Sequence, residues 1–186
     1  MRTRVFAALL VAGMAGASGA CSSDATSPTQ PTAVTVPVQL QTSMHAGDAH
    51  NHGAHLTGDA ERPVPNDSMG QGQAIFQVSD DGSEIHYKLI VANIENVTQA
   101  HIHCCANAEG TAGIVVWLYP SAPPPQLIPG RSQGALAEGA ITRASLVGSL
   151  AGQSLSVLLD NIASGLAYVN VHTSQFQPGE IRGQIQ

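Results

Sequence analysis

From residue 71 to residue 91 the chain alternates with a period of two, and this rhythm constrains the fold more than any other feature of the sequence. Gly72, Ala74, Phe76 and Val78 alternate with Gln71, Gln73, Ile75 and Gln77. After Asp80-Asp81-Gly82, Ile85, Tyr87, Leu89 and Val91 alternate with Glu84, His86 and Lys88. Successive side chains of an extended chain point to opposite faces, so each run predicts a strand with one apolar face. Gly82 supplies the positive φ that a tight hairpin turn needs. Further strands are expected at about 97–104, 112–119, 133–142, 166–172 and 179–185, separated by turn residues. One segment has helical spacing instead: Leu155, Leu158, Leu159 and Ile162 recur at i, i+3, i+4 and i+7, and Gly165 stands where a helix would stop.

Many short strands with one short helix point to an all-β domain, a single antiparallel β-sandwich of Greek-key type spanning residues 54–186. Composition agrees with short strands and tight turns: 19 Gly and 11 Pro occur among 186 residues, with only 4% aromatic residues. Val34, Val36, Val38 and Leu40 also alternate, but Pro37 limits that segment to an edge strand or an ordered arm.

The start of the chain has a different logic. Arg2 and Arg4 precede an apolar run from Val5 to about Met14, followed by small residues up to Cys21, which is the layout of an export signal over residues 1–20. The run is too short for a permanent span, which takes about 20 residues. Ser18-Gly19-Ala20-Cys21 resembles the lipobox of bacterial lipoproteins, which implies lipidation of Cys21; ordinary cleavage after Ala20 is the alternative. Two or more acyl chains would hold the protein on a membrane. Ser22 lacks the Asp associated with inner-membrane retention, so the expected location is the outer membrane, facing the periplasm or the cell surface. Residues 21–53 read as a flexible tether rich in Ser, Thr, Pro and Ala, ending in a His-rich arm. With His55, that patch places His45, His50 and His52 within eleven residues, either a loose transition-metal binder or a solvated loop.

Charge excludes one class of partner. The whole chain carries −6, and without Arg2 and Arg4 five basic residues face 13 acidic ones, a net of −8. Nucleic-acid binding is not expected, because it needs clustered cations to displace phosphate counterions. Hydrolase or transferase chemistry also lacks support: there is no phosphate-cradling glycine loop, and no obvious acid and base pair of carboxylates.

One constellation does carry chemistry. On an extended segment His101, His103 and Cys105 share a face, with Ile102 and Cys104 opposite; Tyr168, Asn170 and His172 share a face of a later strand. If those strands are neighbours, three imidazoles can chelate one Cu or Zn ion, with Cys105 as a further candidate ligand. Glu180 and Arg182 share a face of the last strand, where they can pair or orient a ligand histidine. A purely structural role is the alternative, with the histidines satisfied by carbonyls and carboxylates. Cys104 and Cys105 can form a vicinal disulfide, although it would strain the backbone and close almost no loop; free thiols, or a buried Cys104 with Cys105 near the histidines, are the other readings.

Three blocks of sequence resemble the CHRD domain, the repeat first named in chordin. The first is His55-Leu56-Thr57-Gly58-Asp59-Ala60-Glu61-Arg62-Pro63-Val64-Pro65 with Gly70-x-Gly72-x-Ala74-x-Phe76. The second is Ala100-His101-Ile102-His103 with Gly110 and Gly113-Ile114-Val115-Val116. The third runs from Gly165 to Thr173 and continues as Pro178-Gly179-Glu180-Ile181-Arg182-Gly183-Gln184-Ile185. The resemblance implies an envelope or extracellular β-sandwich that acts as a non-enzymatic binding or structural module, with a protein or a surface polymer as its partner. His-x-His followed by a later His also resembles copper/zinc superoxide dismutase, but dismutase chemistry demands more ligands and a cationic approach route.

Overall fold

In a computed structural model of the chain, the residues described are 51–107 and 109–186. The expected signal segment, Cys21, the tether up to residue 50 and the alternating run at 34–40 lie outside them, while residues 51–53, read as the end of the His-rich arm, are strand. Seven strands form: β1 (Asn51–Thr57), β2 (Gln71–Val78), β3 (Ile85–Cys104), β4 (Gly113–Tyr119), β5 (Ile128–Ile141), β6 (Ala167–Thr173) and β7 (Ile181–Gln184). One α-helix among the described residues, α1 (Leu155–Ala163), precedes β6 and buries Leu155, Leu158 and Ile162. Its spacing is the helical one read from the sequence, and Gly165 follows it at φ 68°.

The strands do not divide into two stacked sheets. Antiparallel pairing runs from β2 to β1, β7, β6 and β3, and β3 pairs again with β2, so five strands close into a barrel. β4 and β5 lie outside that ring, each paired with β3. The expected sandwich is corrected here, and the reason is the length of β3. The sequence suggested two strands, 85–91 and 97–104, with a break between them. The 20-residue β3 instead runs through, because Asn93 and Asn96 take left-handed conformations (φ 55° and 54°) at register shifts. Asn tolerates that region better than most residues, so it absorbs bulges in an otherwise continuous strand. One half of β3 can then pair with β2 while the other half pairs with β6, which closes the ring.

Leu56, Phe76, Leu89, Ile102, Val169 and Ile181 fill the interior, each no more than 1% exposed. The seam between β1 and β7 is short: Thr57 faces Arg182, and Gly53 exchanges two backbone hydrogen bonds of 2.9 Å with Gln186. Gly183 sits at this seam against the carbonyl of His55, where a Cβ would collide with backbone. In β3 the inward set Ile85, Leu89 and Val91 and the outward pair His86 and Lys88 follow the alternation read from the sequence.

Candidate metal centre

β3 and β6 pair so that His101 lies opposite Asn170, His103 opposite Tyr168, and Gln99 opposite His172. Ile102, Val169 and Val171 point into the barrel. The opposite faces of the same strands therefore carry His101, His103, Tyr168, Asn170 and His172 on the outside of the ring. An outward face of a barrel is ordinarily wet, yet His101 is 0% and His172 7% exposed. Connecting segments cover them: the chain before β4 and the loop between β6 and β7 each turn a backbone carbonyl onto one of the rings.

His103 Nδ1 lies 3.0 Å from the Ala112 carbonyl, and His172 Nδ1 lies 2.9 Å from the Gln177 carbonyl. A carbonyl can only accept, so both Nδ1 atoms carry the proton and both Nε2 atoms present a lone pair. Those Nε2 atoms, and both nitrogens of His101, are buried without a hydrogen-bond partner. Each of the three histidines offers one nitrogen within 4.8 Å of the other two. Buried polar atoms are nearly always partnered, so four such nitrogens in one cluster demand an explanation. A metal ion taking one nitrogen from each ring would account for three of the four. In a three-coordinate site with metal–nitrogen bonds of about 2.0–2.1 Å, donors stand roughly 3.5 Å apart, so the rings need to close by about 1 Å.

Electrostatics prepares the rings for that role. Burial, reinforced by the two neighbouring imidazoles, pushes His101 down from 6.5 to about 3. His103 falls to about 4, chiefly through burial, with smaller contributions from His172 and Arg182 and against the pull of the Ala112 carbonyl. Burial also lowers His172. All three are neutral at pH 7, the form that binds metals.

Aromatic rings brace the cluster. Trp117, opposite His101 on β4, sets its ring edge-on to that imidazole at 4.3 Å. Tyr168 stacks flat on His103 at 4.8 Å, and its hydroxyl accepts from the Ala112 backbone N–H at 3.1 Å. The Ala112 residue thus holds His103 through its own carbonyl and Tyr168 through its amide. Behind Tyr168 lies Arg182, its guanidinium carbon 3.4 Å from the ring centroid.

Several readings from the sequence change here. Glu180 neither pairs with Arg182 nor orients a histidine. Its carboxylate accepts from Ser68 Oγ and Thr173 Oγ1, both at 2.7 Å, and so pins the β2 approach to the end of β6. Arg182 lies against the Tyr168 ring instead, within electrostatic range of Glu61, whose carboxylate accepts from Asn170 Nδ2 at 2.6 Å. Burial raises Glu61 from 4.5 to about 7, against the lowering effects of Asn170 and Arg182. Cys105 stands apart from the triad: it is exposed, and its sulfur is bonded to Cys104, which is buried in the core. A disulfide leaves no thiolate for a metal, so the ligand set reduces to three imidazoles.

Glu61 and Trp117 are the site residues that sequence reasoning missed. Alternation along 113–119 separates the face of Trp117 from that of Val116, but only the β3–β4 register sets it beside His101. Glu61 comes from the turn after β1 and carries no periodic signal.

Comparison with known families gives one match: the CHRD domain model covers residues 52–185. No curated protein and no solved structure matches the chain.

Proposed function

Since this chain belongs to the CHRD domain family, we propose that it works as a non-enzymatic binding module of the cell envelope, and that its barrel holds one copper or zinc ion at His101, His103 and His172. The observation that carries the metal reading is the convergence of buried imidazole nitrogens that have no hydrogen-bond partner. An ordinary structural histidine has both nitrogens satisfied or wet. Here two of the rings are locked by their Nδ1 protons in the tautomer that aims a lone pair into the cluster.

The setting follows from the leader. Export by the signal at residues 1–20, lipidation at Cys21 and a tether up to residue 50 place the barrel on the outer membrane, facing the periplasm or the surface. The anchor supplies membrane attachment, and a protein or surface polymer is the partner of the module. The His-rich arm collects metal ahead of the barrel.

Metal analysis of the purified protein, with copper and zinc titrations beside a His101→Ala/His103→Ala double variant, tests the site. The wild type is expected to take up one equivalent more than the variant. Equal uptake by two folded proteins would remove the metal reading and leave an anchored scaffold. For the anchor, Cys21→Ala is expected to move the protein from the membrane fraction to the soluble one; unchanged partition defeats that part.

A further inference from the structure

We infer that the triad is built for monovalent copper, Cu(I), and discriminates against zinc and Cu(II). The inference rests on the proposed metal site and deepens it by naming the ion.

Charge is the first argument. The three donors are neutral imidazoles, so the ion brings its whole charge into the protein with no anionic ligand to offset it. His101, 0% exposed, and His172, 7% exposed, lie in surroundings where transferring charge from water is costly. That cost grows with the square of the charge, so a divalent ion meets a penalty about four times that of a monovalent one. Zinc sites commonly offset it with thiolates or carboxylates. Here the Cys105 sulfur is tied to Cys104, and the Glu180 carboxylate is held by Ser68 and Thr173. Glu61 is turned to Asn170.

A second argument comes from the layer behind the ligands. Arg182 lies against Tyr168, and Tyr168 lies flat on His103, so a guanidinium stands one ring away from a ligand. Its positive charge opposes any cation held at the triad. The same field acts twice as strongly on a divalent ion as on a monovalent one.

Coordination number is the third. Zinc takes four ligands, a water filling the fourth place in three-histidine sites, and Cu(II) prefers a tetragonal set. Cu(I), a closed-shell ion without a geometric demand for a fourth donor, is satisfied by three imidazoles. Trp117, edge-on to His101, has no lone-pair donor, and Tyr168, flat on His103, has its hydroxyl on the Ala112 N–H, so neither ring is set to supply a fourth ligand.

The test uses the full chain with its disulfide intact, titrated anaerobically with Cu(I) in ascorbate against a chromophoric Cu(I) chelator, and separately with Zn²⁺ and Cu²⁺ against their own competing chelators. His101→Gln is run beside it; it keeps the histidines of the arm, so the difference between the two proteins belongs to the triad. The expected result is one triad-dependent equivalent of Cu(I), bound at least 1000-fold more tightly than Zn²⁺. X-ray absorption of that form is expected to show three nitrogen neighbours and no sulfur. Arg182→Gln is expected to raise Zn²⁺ affinity about tenfold while moving Cu(I) about threefold. Zn²⁺ or Cu²⁺ affinity within tenfold of that for Cu(I) would overturn the selectivity and leave the metal site standing. If no ion distinguishes the wild type from a folded His101→Gln, the site itself falls. Should His101→Gln unfold, the absorption spectrum of the wild type decides alone: four or more ligands, or a sulfur, overturns the inference.

Discussion

The two halves of β3 obey one rule and meet opposite fates. In the first half His86 and Lys88 point away from the barrel and stay in water, with His86 Nε2 3.7 Å from Glu84 and Lys88 Nζ 3.7 Å from Glu138. In the second half His101 and His103 also point away from the interior, yet they are enclosed. The strand is continuous and the alternation is the same. What differs is the cover. Over the second half lie the Ala112 and Gln177 carbonyls, the rings of Trp117 and Tyr168, and behind them Arg182 and Glu61. A barrel strand thus becomes a site when loops close over its outer face and leave donor atoms without partners.

The comparison can be broken most forcefully from the inside. Leu89 and Ile102 are interior residues of the two halves, both 0% exposed, so Leu89→Ala and Ile102→Ala are each expected to cost about 2–5 kcal/mol in urea denaturation. A cost below about 1 kcal/mol for either would mean that the two halves do not share one interior. Metal gives the next largest contrast. Free ion at 100 times its Kd is expected to stabilise the wild type and His86→Gln by about 2.7 kcal/mol, and His101→Gln not at all. Thermal melts with and without the ion read this directly, and equal shifts in all three proteins would place the ion outside the triad.

Glu61 sharpens the contrast through pH. Its folded carboxyl titrates at about 7 against 4.5 for the ordinary group. Between those values the folded chain holds a proton that the unfolded chain has lost, so this residue makes stability fall as pH rises through the window. Glu61→Gln keeps an oxygen for Asn170 and removes that slope. Metal-free variant protein is expected to be more stable than the wild type by about 2 kcal/mol at pH 8, and equal to it near pH 4. A constant offset across the range would show that Glu61 does not titrate on folding. The smallest effect belongs to His86, whose exposed pairing with Glu84 predicts a change within about 0.5 kcal/mol for His86→Gln. A larger loss would mean that the first half of β3 is covered as well.

Legibility in the sequence followed the range of the signal. β2, the start of β3 and α1 were readable because each repeats its own period within a few residues. The continuity of β3 was not, since Asn93 and Asn96 look like a break and act as bulges. For the site, His101, His103 and His172 were legible as two same-face pairings awaiting a register. Glu180 and Arg182 were read as sharing a face and pairing, whereas Glu180 accepts from Ser68 and Thr173 and Arg182 lies on Tyr168. Which of several nearby polar groups a side chain reaches depends on loops that carry no period, and Ser68 and Glu61 both approach through such segments.

Taken alone, the sequence determined a mostly β domain with one helix and an alternation that puts two histidines on one side of a strand, because both depend on neighbours a few residues apart. Only the tertiary structure decided that the sheet closes on itself, that His172 joins His101 and His103, and that Cys105 is spent on Cys104. Those outcomes depend on strand register and loop cover. Both are set by the packing of segments as much as a hundred residues apart, as Asn170 and Glu61 are.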